Sequence, residues 1–527
     1  MFIALRSKEC ALPEERNLVW RSIMRNLLLL VLAAVVMATA GVVLFRRWQG
    51  INEIVRNGSV LQLGPNADLQ RALNQAKPGD TIVLQAGAVY EGPFTLPVKT
   101  GSQFITIQSS KLAELPEGAR VSPSQSALFA KLQSAENGSP ILKTQAGAHH
   151  YKFAGIEFST TTERVKVYDL IRLGEWDTQT TLDSVPHHLA IDRSYIHGFE
   201  IQEVQRGISL NSAETSITNS HISDIHGVGY DTQAICGWNG PGPYKIINNY
   251  LEGAGENILF GGADPKIPNL VPSDIEIRDN YVFKPLSWKQ GHPTYAGRHW
   301  TVKNLLELKN ARRVLIDRNV FENNWVDAQA GPAILFTVRN DGGTAPWSTI
   351  EDVTFSNNIL KNSPAALNLL GLDDLKPSKR AQRLTITNNL FIAIGPGAFL
   401  TMNGYPNVTI ANNTHFQGGN IMTLYGDPST SFVYKNNVTV RDDKGYGVIG
   451  DSTSEGSAAL KFTPSASFMN NVIVGADASR YPANNSYPRS VSEVGFVGFE
   501  KGDFRLSPTS RFKQMGANFD LLPKLSR

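Results

Sequence analysis

Along most of the chain, short runs of alternating apolar residues lead into a repeated asparagine doublet. It occurs as Asn248-Asn249, Asn357-Asn358, Asn388-Asn389, Asn412-Asn413, Asn436-Asn437 and Asn470-Asn471. The flanks read Ile246-Ile247, Val353-Thr354-Phe355, Leu384-Thr385-Ile386, Val408-Thr409-Ile410 and Phe432-Val433-Tyr434, and the half-matches Asp279-Asn280 and Arg318-Asn319 fill the gaps. From one second asparagine to the next, through 249, 280, 319, 358, 389, 413, 437 and 471, the steps are 31, 39, 39, 31, 24, 24 and 34 residues. Period-two flanks at this spacing predict short strands in a solenoid. The alternative, an all-β sandwich, calls for turn signals every 8 to 12 residues or so. A sharp bend between strands favours asparagine, which tolerates left-handed backbone angles. Stacked at about 4.8 Å, its amide can also bond the same residue one coil away, each bond adding on the order of 1 kcal/mol.

Residues 66–76 predict a helix with Leu69, Ala72, Leu73 and Ala76 on one face, stopped by Pro78-Gly79. Strands at 81–84 and 90–94 then form the first coil, and the helix plugs its open end, as a solenoid's terminal unit must be covered. Strands continue at 104–108 and 151–158, with a polar excursion over 111–138, and are dense from His188 onward. Residues 503–506 with Ser507-Pro508 read as a last strand and turn, and the tail caps or trails.

Before the coil, residues 27–45 are apolar except Thr39, about 28 Å as a helix against a bilayer core near 30 Å. Arg21 and Arg25 precede this run and Arg46 and Arg47 follow it, so the positive-inside count is nearly tied. Two readings stand: an uncleaved signal anchor, or a signal peptide starting at Met24 and cleaved after Ala38-Thr39-Ala40. Both put the coil outside the cytoplasm. The expected organisation is 1–25 cytoplasmic, 26–45 transmembrane signal anchor or signal peptide, 46–65 linker, 66–508 β-helix and 509–527 tail. A net charge of +3 with 18% charged residues argues neither for nucleic acid nor for an acidic tail, so global charge names no partner, and no nucleic acid is expected. Cys10 and Cys236 flank the apolar run, which excludes an intramolecular disulfide and a thiolate metal site; Cys236 is expected in the core.

With three strands per coil, the doublet bends the second strand into the third, and the first strand of the next coil follows a short turn later. These strands are expected at 257–260, 305–309, 334–339, 367–370, 398–401 and 421–425. Alternation turns Leu306 and Leu308 inward and Glu307 and Lys309 outward. Aligning 336–340 with 306–310 sets Arg339 beside Lys309, two stacked cations that an anion would relieve. Glu252, Glu256, Asn257 and Asp264 lie in the preceding coil.

This set suits elimination from a 4-linked uronate. Lys309 is the expected base and Arg339 holds the sugar carboxylate, while Asn257, Glu307, Asp264, Trp238 and Trp325 bind substrate. Glu256 and Glu307 are the expected metal ligands, with calcium the expected cofactor. Set against this, Glu307 can simply pair with Lys309 or Arg339 on a solvated strand face. Trp238, Trp288, Trp325 and Trp347 sit beyond strands, where rings either stack on sugars or seal the turns. His187-His188, His197, His221 and His226 read as loop or core histidines.

The helix-then-strand opening over 69–94, the doublets and Asp503-Phe504-Arg505-Leu506-Ser507-Pro508 resemble the right-handed parallel β-helix superfamily that includes pectate lyases and related polysaccharide lyases. The resemblance spans residues 66–508 and implies an all-β solenoid with ligands along one sheet, between long turns. It also implies, for some lyases of this fold, a Lys and an Arg on neighbouring coils with calcium held by Asn and Glu. The functional expectation is a membrane-tethered, monomeric protein acting on or binding acidic polysaccharide, by elimination as a lyase. The alternatives are a glycoside hydrolase using two of Glu256, Asp264 and Glu307 about 5 to 9.5 Å apart, or a non-catalytic surface module for glycan or protein.

Overall fold

The computed structural model describes residues 24–25, 54–440, 447–450 and 454–524. Three stacked sheets of 15, 13 and 13 strands wind together, and each turn of the chain contributes one strand to each. The first sheet runs from Ile54–Asn57 to Ser467–Met469, the second from Val89–Glu91 to Val472–Val474, and the third from Phe94–Leu96 to Ser454–Glu455. Within the coils all pairing is parallel, as in Tyr244–Ile247 on Ser273–Arg278. The interior is filled by aligned aliphatic columns. One of them runs Ile171, Ile208, Ile235, Ile258, Leu306, Ile334 and Leu367, each in register with the next.

The doublet bends the first sheet into the second, and its two positions do different things. The first takes a left-handed backbone: φ is 52 to 58° at Asn248, Asp279, Arg318, Asn357, Asn388, Asn412, Asn436 and Asn470. The second is buried and builds a ladder. Asn249 donates its backbone N–H and its Nδ2 to Asn280 Oδ1 at 2.9 and 3.1 Å, and Asn280 does the same to Asn319 Oδ1 at 2.9 and 3.0 Å. The same pair of bonds links 319 to 358, 358 to 389, 389 to 413, 413 to 437 and 437 to 471. Asn485 ends the series.

The capping helix is shorter than expected, Leu69–Gln75, because Asp68 N-caps it through the Arg71 N–H and Asn66 is left-handed. Leu69, Ala72, Leu73 and Ala76 are buried, and Gln70 bonds both the N–H and the carbonyl of Thr95, closing the edge of the third sheet. Residues 54–63, expected as the end of a linker, are a hairpin that continues the first sheet onto Thr81–Leu84. Within the 111–138 excursion, Ala130–Ser134 is a second-sheet strand. The expected last strand, Asp503–Leu506, lies outside the coil. It pairs antiparallel with Phe496–Gly498 and packs Phe504 against Phe416, 4.6 Å between ring centroids. The tail then doubles back over the second sheet, with Leu522 beside Ile359 and Leu390. The apolar run 27–45 lies outside the described residues, among which no helix is long and apolar enough to cross a membrane.

Candidate functional site

All six strands expected to line the groove lie in the third sheet: Glu256–Phe260, Asn304–Leu308, Pro332–Thr337, Ala365–Leu370, Leu400–Asn403 and Met422–Tyr425. Each of the middle strands opens with two consecutive core residues, such as Leu305-Leu306 and Ala333-Ile334. That local kink leaves outward positions three residues apart rather than two. Two outward rows result. One runs Asp169, Arg206, Gln233, Glu256 and Asn304; the other runs Arg172, Ser209, Cys236, Leu259, Glu307 and Leu335.

Glu256 is fully buried in the first row, and that burial, with the charges of Glu307 and Asp231 nearby, pushes its carboxyl up to about 7. Its Oε2 accepts from Gln233 Nε2 at 2.8 Å, while Oε1 has no hydrogen-bond partner among the described residues and lies 3.5 Å from Lys303 Nζ. Lys303 also pairs with Asp231. Burial works against the Lys303 ammonium, but Glu256 and Asp231 together raise its pKa. Glu307, 2% exposed, accepts from Asn304 Nδ2 at 3.0 Å and sits 3.8 Å from Lys309 Nζ. A buried ionisable cluster of this kind is costly and marks a functional site more often than ordinary packing.

The expected register of the two cations is off by two residues. Leu308 faces Phe336, so Lys309 is level with Thr337 rather than Arg339. The coils still bring them together, since the Arg339 N–H donates to the Lys309 carbonyl at 3.0 Å. Neither cation is bare. Lys309 has Glu307, and Arg339 has Asp374 and, at 2.9 Å, Asp373. Burial works against the Arg339 charge, and the two aspartates raise its pKa. Calcium takes about six to eight oxygens. Here Lys303 puts a positive charge among the carboxylates, and one oxygen each of Glu256 and Glu307 accepts from Gln233 and Asn304, while Glu256 Oε1 stays without a hydrogen-bond partner among the described residues. The cluster therefore already holds an internal ammonium.

The remaining expected binders are committed elsewhere. Asn257 is buried, giving Nδ2 to the Leu251 and Phe283 carbonyls and accepting from Lys284 Nζ at 3.1 Å. Asp264 clamps the loop of the next coils through the N–H groups of Gly342 and Thr344 and the Thr344 hydroxyl. Trp238 is 5% exposed beside Cys236 and Leu259 under the Arg206 guanidinium, and Trp325 is 8% exposed in a cluster with Ala254, Trp288, Trp300 and Val302. These rings seal turns, which corrects their reading as sugar platforms. Cys236 is buried, in the small cluster under Trp238 rather than in the coil interior, and burial pushes its thiol up to about 12.

Sequence reasoning missed Asp231, Gln233, Lys303 and Asn304, which stand at or just before strand starts, where alternation cannot assign a face. It also missed a cleft of about 430 Å³ on the second sheet, lined by Tyr195, His221, Asp224, Glu252, Trp288 and Trp300. There burial and the Asp224 charge push Glu252 up to about 7. The polar alternation in His221–Ser223 and Tyr250–Glu252 was the available signal.

No protein-family model matches this chain, and no curated protein matches its sequence. Solved structures do. A PL6 alginate lyase in complex with a trisaccharide is 12% identical with a TM-score of 0.53, over 90% of this chain and 97% of that one. The PL6 family alginate lyase AlyGC is 14% identical with a TM-score of 0.46, and this chain covers 86% of itself but only 56% of AlyGC. The catalytic unit of the GH87 α-1,3-glucanase from Streptomyces thermodiastaticus is 11% identical with a TM-score of 0.49, over 81% of this chain and 68% of that one. At such identities the likeness speaks to the fold alone: a parallel β-helix.

Proposed function

We propose that this chain acts on an acidic polysaccharide laid along the outer face of the third sheet and cleaves it by β-elimination. The observation that carries the reading is the backbone contact of Lys309 and Arg339 on consecutive coils, with each side chain held by carboxylates that a uronate can replace. Arg339 then takes the sugar carboxylate, and Lys309, acting as the neutral amine once its ammonium proton has passed to Glu307, removes the proton on the adjacent carbon. The electron pair forms the new C=C bond, the glycosidic C–O bond breaks, and the leaving oxygen takes up a proton. Glu256, its carboxyl pushed up to about 7 by burial, lies in the same cluster as a proton source.

A non-catalytic glycan-binding role is favoured by one observation, the ion pairing of both cations. The apolar run 27–45 supports a single-pass anchor with the β-helix outside the cytoplasm, which protease protection of the carboxyl-terminal domain in intact cells tests. For the chemistry, the protein is incubated with uronic-acid polymers, with calcium or with a chelator, while the absorbance of new unsaturated ends is followed. Absorbance lost in Lys309→Ala and insensitive to the chelator supports elimination as drawn. Reducing ends without that absorbance point to hydrolysis, and binding without either points to a binding module.

A further inference from the structure

On the outer face of the first sheet, strands His149–Ala154 and His187–Asp192 each open with a histidine pair, and His149 is in register with His187. The four rings form a two-by-two block. His149 stacks on His187 at 4.8 Å between centroids and His150 on His188 at 4.3 Å. Within each pair the Nδ1 atoms meet, at 2.8 Å for His149 and His150 and at 2.6 Å for His187 and His188. Two ring nitrogens that close share one proton between them, so both pairs require neutral imidazole.

The same left-handed column shows what the fold does elsewhere. His150, His188, Glu214, Asp274, Arg313, Asp352 and Arg383 all have positive φ near the start of first-sheet strands. Two steps along it are closed by ion pairs, Asp274 with Arg313 at 2.7 Å and Asp352 with Arg383 at 2.5 Å. At the histidine step there is imidazole on imidazole, with Glu214 next in line. Glu214 Oε2 lies 2.6 Å from His188 Nε2. A carboxylate only accepts, so Nε2 carries the proton and Nδ1 is the nitrogen that faces a metal, the arrangement by which carboxylates orient metal-binding histidines.

We propose that His150, His187 and His188 bind a divalent first-row transition-metal ion, with Glu214 orienting His188 and His149 packed behind. One ligand nitrogen from each of the three lies within 4.8 Å of the others. A tetrahedral zinc ion wants neighbouring nitrogens about 3.3 Å apart, which small ring rotations supply. All three rings are half-buried, so an ion can reach them and one coordination position stays open to solvent. Three imidazoles select zinc, copper or nickel over calcium or magnesium.

The test is calorimetric titration of the full chain, without an added histidine tag, with Zn²⁺. Asparagine tolerates the left-handed backbone at 150 and 188, so the variants are His150→Asn, His188→Asn and the pair together. One Zn²⁺ per chain, weakened at least tenfold by each single change and by Glu214→Gln, and not displaced by excess Ca²⁺ or Mg²⁺, is expected. Equal Zn²⁺ affinity in wild type and the double variant, or displacement by Ca²⁺, overturns the site. Electron paramagnetic resonance of the wild type with one equivalent of Cu²⁺ reads the ligands without any variant. Imidazole nitrogen couplings are expected, and a spectrum of oxygen ligation alone refutes the proposal.

Discussion

Replacing Asn358 by alanine removes one rung of the ladder. The Asn358 side chain is fully buried, and its Oδ1 accepts from the backbone N–H and Nδ2 of Asn319 at 2.8 and 3.0 Å. Its Nδ2 donates to the Ile316 carbonyl at 3.0 Å and to Asn389 Oδ1 at 3.1 Å. Asn319 Nδ2 keeps the carbonyls of Ile277 and Asp317, and Asn389 Oδ1 keeps the Asn358 N–H. The Asn319 N–H loses the acceptor that Asn358 supplies in a dry interior. An orphaned buried donor costs about 1–3 kcal/mol and each further lost bond about 1, so the coil should weaken by about 3 kcal/mol. A long solenoid can open coil by coil, which makes a global melting curve a poor gauge. Native-state hydrogen exchange reads the coil itself. The Asn319 amide and its neighbours in Ala311–Asp317 and Ile350–Ser356 should exchange about a hundredfold faster. Asn412→Gly, at a first doublet position with φ 57° and no side-chain hydrogen bond among the described residues, should change exchange in its own coil little. A change under about threefold in Asn358→Ala would show that the ladder does not hold the coils together.

Three other perturbations test separate parts. Burial holds the Glu256 carboxyl near 7 in the folded chain against an ordinary 4.5, so its contribution is full below pH 4.5 and is lost as pH rises to about 7. Stability of wild type relative to Glu256→Gln should fall across that window in paired denaturation curves, and a flat difference contradicts the burial argument. The comparison has to be paired because buried His221, His226 and His415, each held down near 3, act in the opposite sense as pH falls below 6.5. Lys284 Nζ, fully buried, donates to the carbonyls of Gly253, Ala254 and Gly255 at 2.5 to 3.1 Å. Lys284→Met should cost the surrounding coils about 3 kcal/mol, read by native-state hydrogen exchange, and a cost under about 1 would mean that water replaces the ammonium freely. Truncation after Ser507 should raise hydrogen exchange in Ile359–Ser363 and Leu390–Ile394, which the tail covers, and leave the third sheet unchanged.

The coil was legible because its two doublet positions carry different demands. The first needs a residue that tolerates a left-handed backbone, so Asp279 and Arg318 serve beside the asparagines. The second needs a donor and an acceptor on one short side chain, and every rung from 249 to 471 is asparagine. The kink at third-sheet strand starts was not legible, because Leu305-Leu306 reads as plain alternation slipping by one. That slip placed Glu256 and Asn304 on the outer wall unseen, while the Lys309–Arg339 alignment was off by two residues because Leu306 faces Ile334 and not Phe336. The partners Asp373 and Asp374 come from the loop of the following coil, and loop contacts leave no periodic trace in sequence.

The central claim, that an acidic glycan lies along the third sheet, is met most directly by hydrogen exchange of the full chain with and without a uronic-acid oligosaccharide. The account predicts protection confined to Glu256–Phe260, Asn304–Leu308 and Pro332–Thr337 and lost in Arg339→Ala. Protection instead at His221–Ser223, Tyr250–Glu252 and the loop carrying Trp288 and Trp300 would contradict it and place the ligand in the second-sheet cleft.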